Sequence, residues 1–123
     1  MRKQQLSRFL ESLLLFAITL LPGRAMAEQT ITPYTQVETI AAHGSTTLTN
    51  WFTLVGVSSA STCPTSSASS QSRVLFTVPH DELGKQQIAM VTAALLAGRS
   101  VQVTYDPTVL LGGYCQAIAV FIK

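Results

Sequence analysis

The chain has 123 residues, with 8 Lys and Arg against 6 Asp and Glu and only 11 % charged residues in all. Five of those charges (Arg2, Lys3, Arg8, Glu11 and Arg24) fall in the first 27 residues and contribute +3, which leaves residues 28–123 at −1. A body so poor in cations cannot neutralise a run of phosphates, which excludes nucleic acid as a partner.

The opening segment reads as an export signal. Arg2, Lys3 and Arg8 form a basic start, residues 13–21 (LLLFAITLL) an apolar core, and Ala25-Met26-Ala27 a small-x-small cleavage site. The apolar run is too short for a membrane span, which takes about 20 residues; an uncleaved anchor is the alternative. Removal of residues 1–27 leaves one small domain, 28–123, with no membrane span and a secreted or periplasmic destination.

Residues 28–36 are polar and read as a loose arm or an edge segment, and 37–42 as a short strand. His43-Gly44-Ser45 is a turn. Residues 46–57 (TTLTNWFTLVGV) are rich in β-branched and aromatic side chains and form the next strand. Leu48, Phe52 and Leu54 supply its core face, which puts Trp51 on the outer face.

Residues 58–72 hold eight serines and too little apolar surface for an element of their own. They read as a loop, held near its start by Cys63. Residues 73–78 (RVLFTV) are a strand closed by Pro79. The period then changes. Asp81 is a helix N-cap, Glu82 suits the first turn, and Ile88, Val91 and Leu95 recur at helical spacing with Met90, Ala94 and Leu96. Gly98 ends the helix, which spans about 82–97.

Residues 100–105 alternate, with Val101, Val103 and Tyr105 on one side. Asp106-Pro107 and Gly112-Gly113 read as two turns. Residues 114–122 are apolar on both faces, which suits a central strand or a subunit interface. The expected fold is mainly β with one helix: a five-stranded OB-like barrel, or a strongly curved antiparallel sheet with the helix packed on it.

Two cysteines permit one intramolecular bridge, Cys63–Cys115, in an oxidising compartment; an intermolecular link and free thiols are the alternatives. No catalytic residue and no cofactor is expected. His43 and His80 lack neighbours at metal-ligand spacing. A triad composed from His80, Asp81 and a loop serine lacks a nucleophile-elbow motif, and Asp81 is better used as the cap. The candidates for ligand binding are Trp51, Tyr105 and Tyr114 with Ser58, Ser59 and Ser61. Aromatic faces beside hydroxyl donors suit sugars, and core or interface packing is the competing use of the same rings.

Residues 88–106 (IAMVTAALLAGRSVQVTYD) and 112–123 (GGYCQAIAVFIK) resemble the C-terminal half of small secreted proteins related to the B subunits of bacterial AB5 toxins, of the subtilase-cytotoxin and pertussis-like kinds. The shared pattern is a helix ending in alanine and Gly98, a strand, then Cys115 and a final alternating strand; Cys63 stands where such proteins have their earlier cysteine. The resemblance implies an OB-fold subunit without enzymatic activity. It further implies a homo-oligomer, often a ring of five, that recognises cell-surface glycans beside an A-type subunit. The other expectation is an exported protein-interaction or assembly module that binds no sugar.

Overall fold

A computed structural model describes residues 29–44, 48–67 and 71–123. The export-signal reading of residues 1–27 lies outside them. The strands are β1 (Thr30–Ile31), β2 (Thr35–Ala41), β3 (Asn50–Leu54), β4 (Thr65–Ser66), β5 (Arg73–Val74), β6 (Phe76–Val78), β7 (Ser100–Leu111) and β8 (Tyr114–Ile122). One helix, α1 (Glu82–Ala97), separates β6 from β7.

The fold is mainly β with the helix packed on the sheet. β2 pairs antiparallel with β3, β3 with β6, and β7 with both β2 and β8. A single parallel pairing, Thr77 with Gln116, joins β6 to β8, so the succession β7-β2-β3-β6-β8 returns to β7. β1 continues the line of β2 along β7, opposite Thr104 and Tyr105. Thr32, between them, keeps the pairing going. Its N–H donates to the Val103 carbonyl at 2.9 Å, and its hydroxyl accepts from the Val103 N–H at 3.0 Å. Residues 30–32 are therefore a paired edge segment rather than a loose arm.

Inward-facing residues meet in one core. Phe52, Phe76 and Tyr105 form a line of tilted rings with centroids 5.8 and 5.5 Å apart. Leu54, Val74, Val78, Val101, Val103 and Cys115 surround them, all fully buried. Phe52 and Leu54 face inward as their alternation predicts, whereas Leu48 is exposed.

The helix has the predicted bounds, because both ends carry their own stop signals. Asp81 accepts from the Gly84 N–H at 2.8 Å, satisfying a donor that has no intrahelical partner. At the other end Gly98 takes the left-handed conformation (φ 65°), and the N–H groups of Gly98 and Arg99 reach back to Leu95 and Ala94. Its buried face matches the expected one in part: Val91 and Ala94 are buried and Ile88 is half-buried against the core. Gly84, Gln87, Val91 and Ala94 point inward, whereas Met90, Leu95 and Leu96 are exposed. Gly84 packs tightly on the segment that leads in from β6: a Cβ there would lie 1.7 Å from the Pro79 carbonyl oxygen. Gln87 is anchored by its amide, which donates to the Ala117 and Ile118 carbonyls of β8 at 3.2 and 3.0 Å.

Of the two turns expected after residue 105, one is absent and one is present. Asp106-Pro107 does not turn the chain; it lies inside β7 as an irregularity in the pairing with β8. The Asp106 carboxylate there accepts from the Thr108 N–H at 2.9 Å and hydroxyl at 2.6 Å, closing a local loop that absorbs the extra residues. The hairpin turn is Gly112-Gly113, both at positive φ, between the paired Leu111 and Tyr114. That two-residue form matches the twist of the flanking strands.

Candidate functional site

Cys63 and Cys115 form a disulfide with Cα atoms 5.6 Å apart, closing a sequence separation of 52 residues. No free cysteine remains. The bridge joins the serine loop to the first residues of β8, and Val57 just before the loop and Ala60 within it enter the core. β4 and β5 form a small hairpin within the 58–74 region. The loop is therefore anchored at several points.

Residues directly opposite one another in a sheet share a face. Trp51 stands between Ala41 of β2 and Thr77 of β6, and Thr77 is opposite Gln116 of β8. This row lies on the side away from Phe52, Phe76 and Val78. Alternation places Tyr114, two residues before Gln116, on the same side. Trp51, Tyr114 and Gln116 are all half-buried, and Thr77 among them is fully covered. The Thr77 hydroxyl donates toward the Tyr114 and Cys115 carbonyls, at 3.4 Å each, which ties β6 to the start of β8. Beside Trp51, the Asn50 side-chain oxygen accepts from the His43 N–H at 2.6 Å.

The predicted aromatics thus separate into two groups. Trp51 and Tyr114 share the outer face. Tyr105 does not join them: at 2 % exposure it packs against Phe76, and desolvation by burial raises its phenol above the ordinary value of 10.0. Its place on the inward side of β7 withdraws it from any ligand surface. Ser58, Ser59 and Ser61 are exposed. Ser61 lies two residues before the bonded Cys63, whereas Ser58 and Ser59 follow the turn at Gly56.

The face is electrically quiet. Among the described residues each of the four cations is engaged. Arg73 meets Glu38 at 3.1 Å, Lys85 meets Glu82 at 3.1 Å, Arg99 donates to the Lys123 carbonyl, and the Lys123 ammonium lies over the Tyr34 ring. His80 bonds the Leu48 carbonyl and Asp81 caps the helix. No cluster of three or more His, Cys, Asp or Glu side chains occurs among the described residues. None of their helices is long and apolar enough to cross a membrane.

Gln116 and Thr77 belong to the face and were not among the sequence candidates. Their only sequence signal is alternation within a strand; the parallel β6–β8 pairing is what brings them beside Trp51. Compared with protein families, curated proteins and solved structures, the chain matches none.

Proposed function

We propose that this chain is an exported, non-enzymatic binding subunit on an OB-like scaffold, and that its Trp51–Tyr114 face takes neutral, hydroxyl-rich ligands of the cell-surface glycan class. The observation that carries this reading is the pairing row Ala41–Trp51–Thr77–Gln116 with Tyr114 beside it. Two amphipathic rings and a carboxamide there share a surface with no free cation. Sugar rings present apolar C–H patches, which cover an aromatic face, and neutral hydroxyls, which exchange hydrogen bonds with amides and serines.

The OB-like reading is supported by the strand succession that returns on itself, by the parallel β6–β8 contact and by the helix placed between β6 and β7. Export is supported by the bridge between Cys63 and Cys115, a bond that persists in oxidising compartments. The resemblance of residues 88–106 and 112–123 to toxin B subunits points the same way.

The test is a glycan array probed with the oxidised protein, followed by titration of the best neutral sugar. Trp51→Ala and Tyr114→Ala are expected to weaken binding at least tenfold and Ser61→Ala less. Tyr34→Ala, against Lys123, is the control expected to bind normally. Binding that survives both aromatic truncations, or a folded protein with no carbohydrate signal, refutes the reading.

A further inference from the structure

The aromatic face rests on two bodies of unequal firmness. Trp51 sits within β3 and is paired with Ala41 on one side and Thr77 on the other. Tyr114 and Gln116 sit at the start of β8, where pairing is interrupted. Between the Tyr105–Ala117 and Leu110–Cys115 pairs, residues 106–109 of β7 stand against Gln116 alone. That irregularity separates the hairpin tip, with its pairs Leu110–Cys115 and Leu111–Tyr114, from the ladder that continues to Val101–Ile122. On its own side of the break the ladder is firm, because Gln87 holds the Ala117 and Ile118 carbonyls to α1.

The tip has weak polar ties to the other strands. Thr77–Gln116 is a single parallel rung, and the two Thr77 hydroxyl bonds, at 3.4 Å, exceed the usual O–H···O range. A Cβ on Gly112 would meet the Thr49 hydroxyl at 2.4 Å, so the turn lies against that side chain. Cys115 is the one residue of 110–116 that enters the core, and it does so as half of the bridge. It lies between Tyr114 and Gln116. Its partner is anchored: the Cys63 N–H donates to the Ala60 carbonyl at 2.9 Å, and Ala60 packs in the core.

We infer that the Cys63–Cys115 bond is the latch of the Trp51–Tyr114 face, with residues 106–109 as its hinge. As a dithiol the chain keeps its sheet while the tip swings away from Trp51, which leaves the face incomplete. Latching is an exchange with a small-molecule or protein disulfide. The two thiols give up two protons and two electrons as the Sγ–Sγ bond forms, and the oxidant's disulfide splits into two thiols. Such oxidants prevail in oxidising compartments, so competence to bind arises with export. The effect on ligand binding rests on the function proposed for this face; the latch itself does not.

Backbone amide relaxation, measured by NMR on the oxidised protein and on the Cys63→Ala, Cys115→Ala double variant, tests the latch. Acrylamide quenching of Trp51, the single tryptophan, is the second reading. With the bridge intact, residues 110–116 are expected to be as ordered as 119–122, with order parameters of about 0.85. Without it, 110–116 should fall to about 0.6 or lower while 101–104 and 119–122 hold their values. Quenching should rise about twofold, and affinity for the best neutral sugar should fall about tenfold. Thr49→Ala, which removes a contact of the tip but keeps the bridge, should leave the tip ordered. A tip that stays ordered without the bridge overturns the latch. So does loosening of β7 and β8 throughout, loss of the whole fold, or a tip that loosens in Thr49→Ala. A tip that behaves as expected in proteins that bind no sugar upholds the latch and refutes the function proposed for the face.

Discussion

Gly84→Ala reverses the usual effect of that substitution. In an ordinary exposed helix interior, alanine is more favourable than glycine by about 1 kcal/mol. Here the new Cβ would stand 1.7 Å from the Pro79 oxygen and 2.7 Å from the Pro79 carbonyl carbon, both backbone atoms with no rotamer to change. An ordinary C···O contact is about 3.3 Å, so the first turn of α1 must withdraw by about 1.6 Å. That movement stretches the 2.8 Å bond from Gly84 to Asp81, worth about 1 kcal/mol as a cap. It also loosens the contact of Gln87 and Val91 with the sheet, an overpacking cost of about 1–3 kcal/mol. Set against the propensity gain, the net loss is about 2 kcal/mol. For a domain of this size that lowers the Tm by roughly 8–16 °C. Thermal and urea melts of the oxidised protein measure it, with Gly44→Ala, whose Cβ would meet nothing within 4 Å, as the neutral control. A Gly84→Ala protein as stable as the parent, or more so, refutes the reasoning that close approach rather than propensity governs this position.

Replacing Gln87 by Leu strands the Ala117 and Ile118 carbonyls and is expected to cost about 2 kcal/mol in urea unfolding, with an unchanged m-value. Asp106 is held below its ordinary acid range by the Thr108 hydroxyl and then by the Thr108 N–H. A depressed folded value means stability that is present above the unfolded pKa of about 3.9 and lost as pH falls through the folded value. Asp106→Asn should therefore flatten the acid limb of a stability–pH curve and leave its slope near neutrality unchanged. Cys63→Ala with Cys115→Ala should lower stability by about 4 kcal/mol on the loop-closure estimate. Because Cys115 is fully buried and Cys63 nearly so, dithiothreitol should reduce the native bridge much more slowly than the urea-unfolded one, as thiol labelling reads it.

The helix ends were legible because their signals are local: a capping carboxylate, an acidic first turn and a glycine free to adopt positive φ all act within four residues. The buried face of the helix was legible only in part: Ile88, Val91 and Ala94 pack on the core, and Leu95 does not. Ile88, Val91 and Leu95 satisfy helical spacing as well as Gly84, Gln87, Val91 and Ala94 do. Gly84 is fixed by Pro79, five residues before it, whereas Gln87 is fixed by the Ala117 and Ile118 carbonyls of β8, which lie 30 and 31 residues further along the chain. Asp106-Pro107 misled for the complementary reason. Its turn chemistry is real and operates through Thr108, but β8 supplies pairing on either side and the strand continues.

The candidate face divides along the same line. Alternation along a strand is a local property, so the amino-acid order alone set Trp51 opposite Phe52 and put Tyr105 with Val101 and Val103. It also restricted the cysteines to a single internal partnership. Which outward residues became neighbours, and whether the inward tyrosine stayed dry, depended on strand register and on the ring of pairings, which join residues as far apart as Thr30 and Tyr105. Side-chain period is written into every short stretch of chain, whereas the meeting of Trp51, Thr77, Gln116 and Tyr114 exists only after distant strands have bonded.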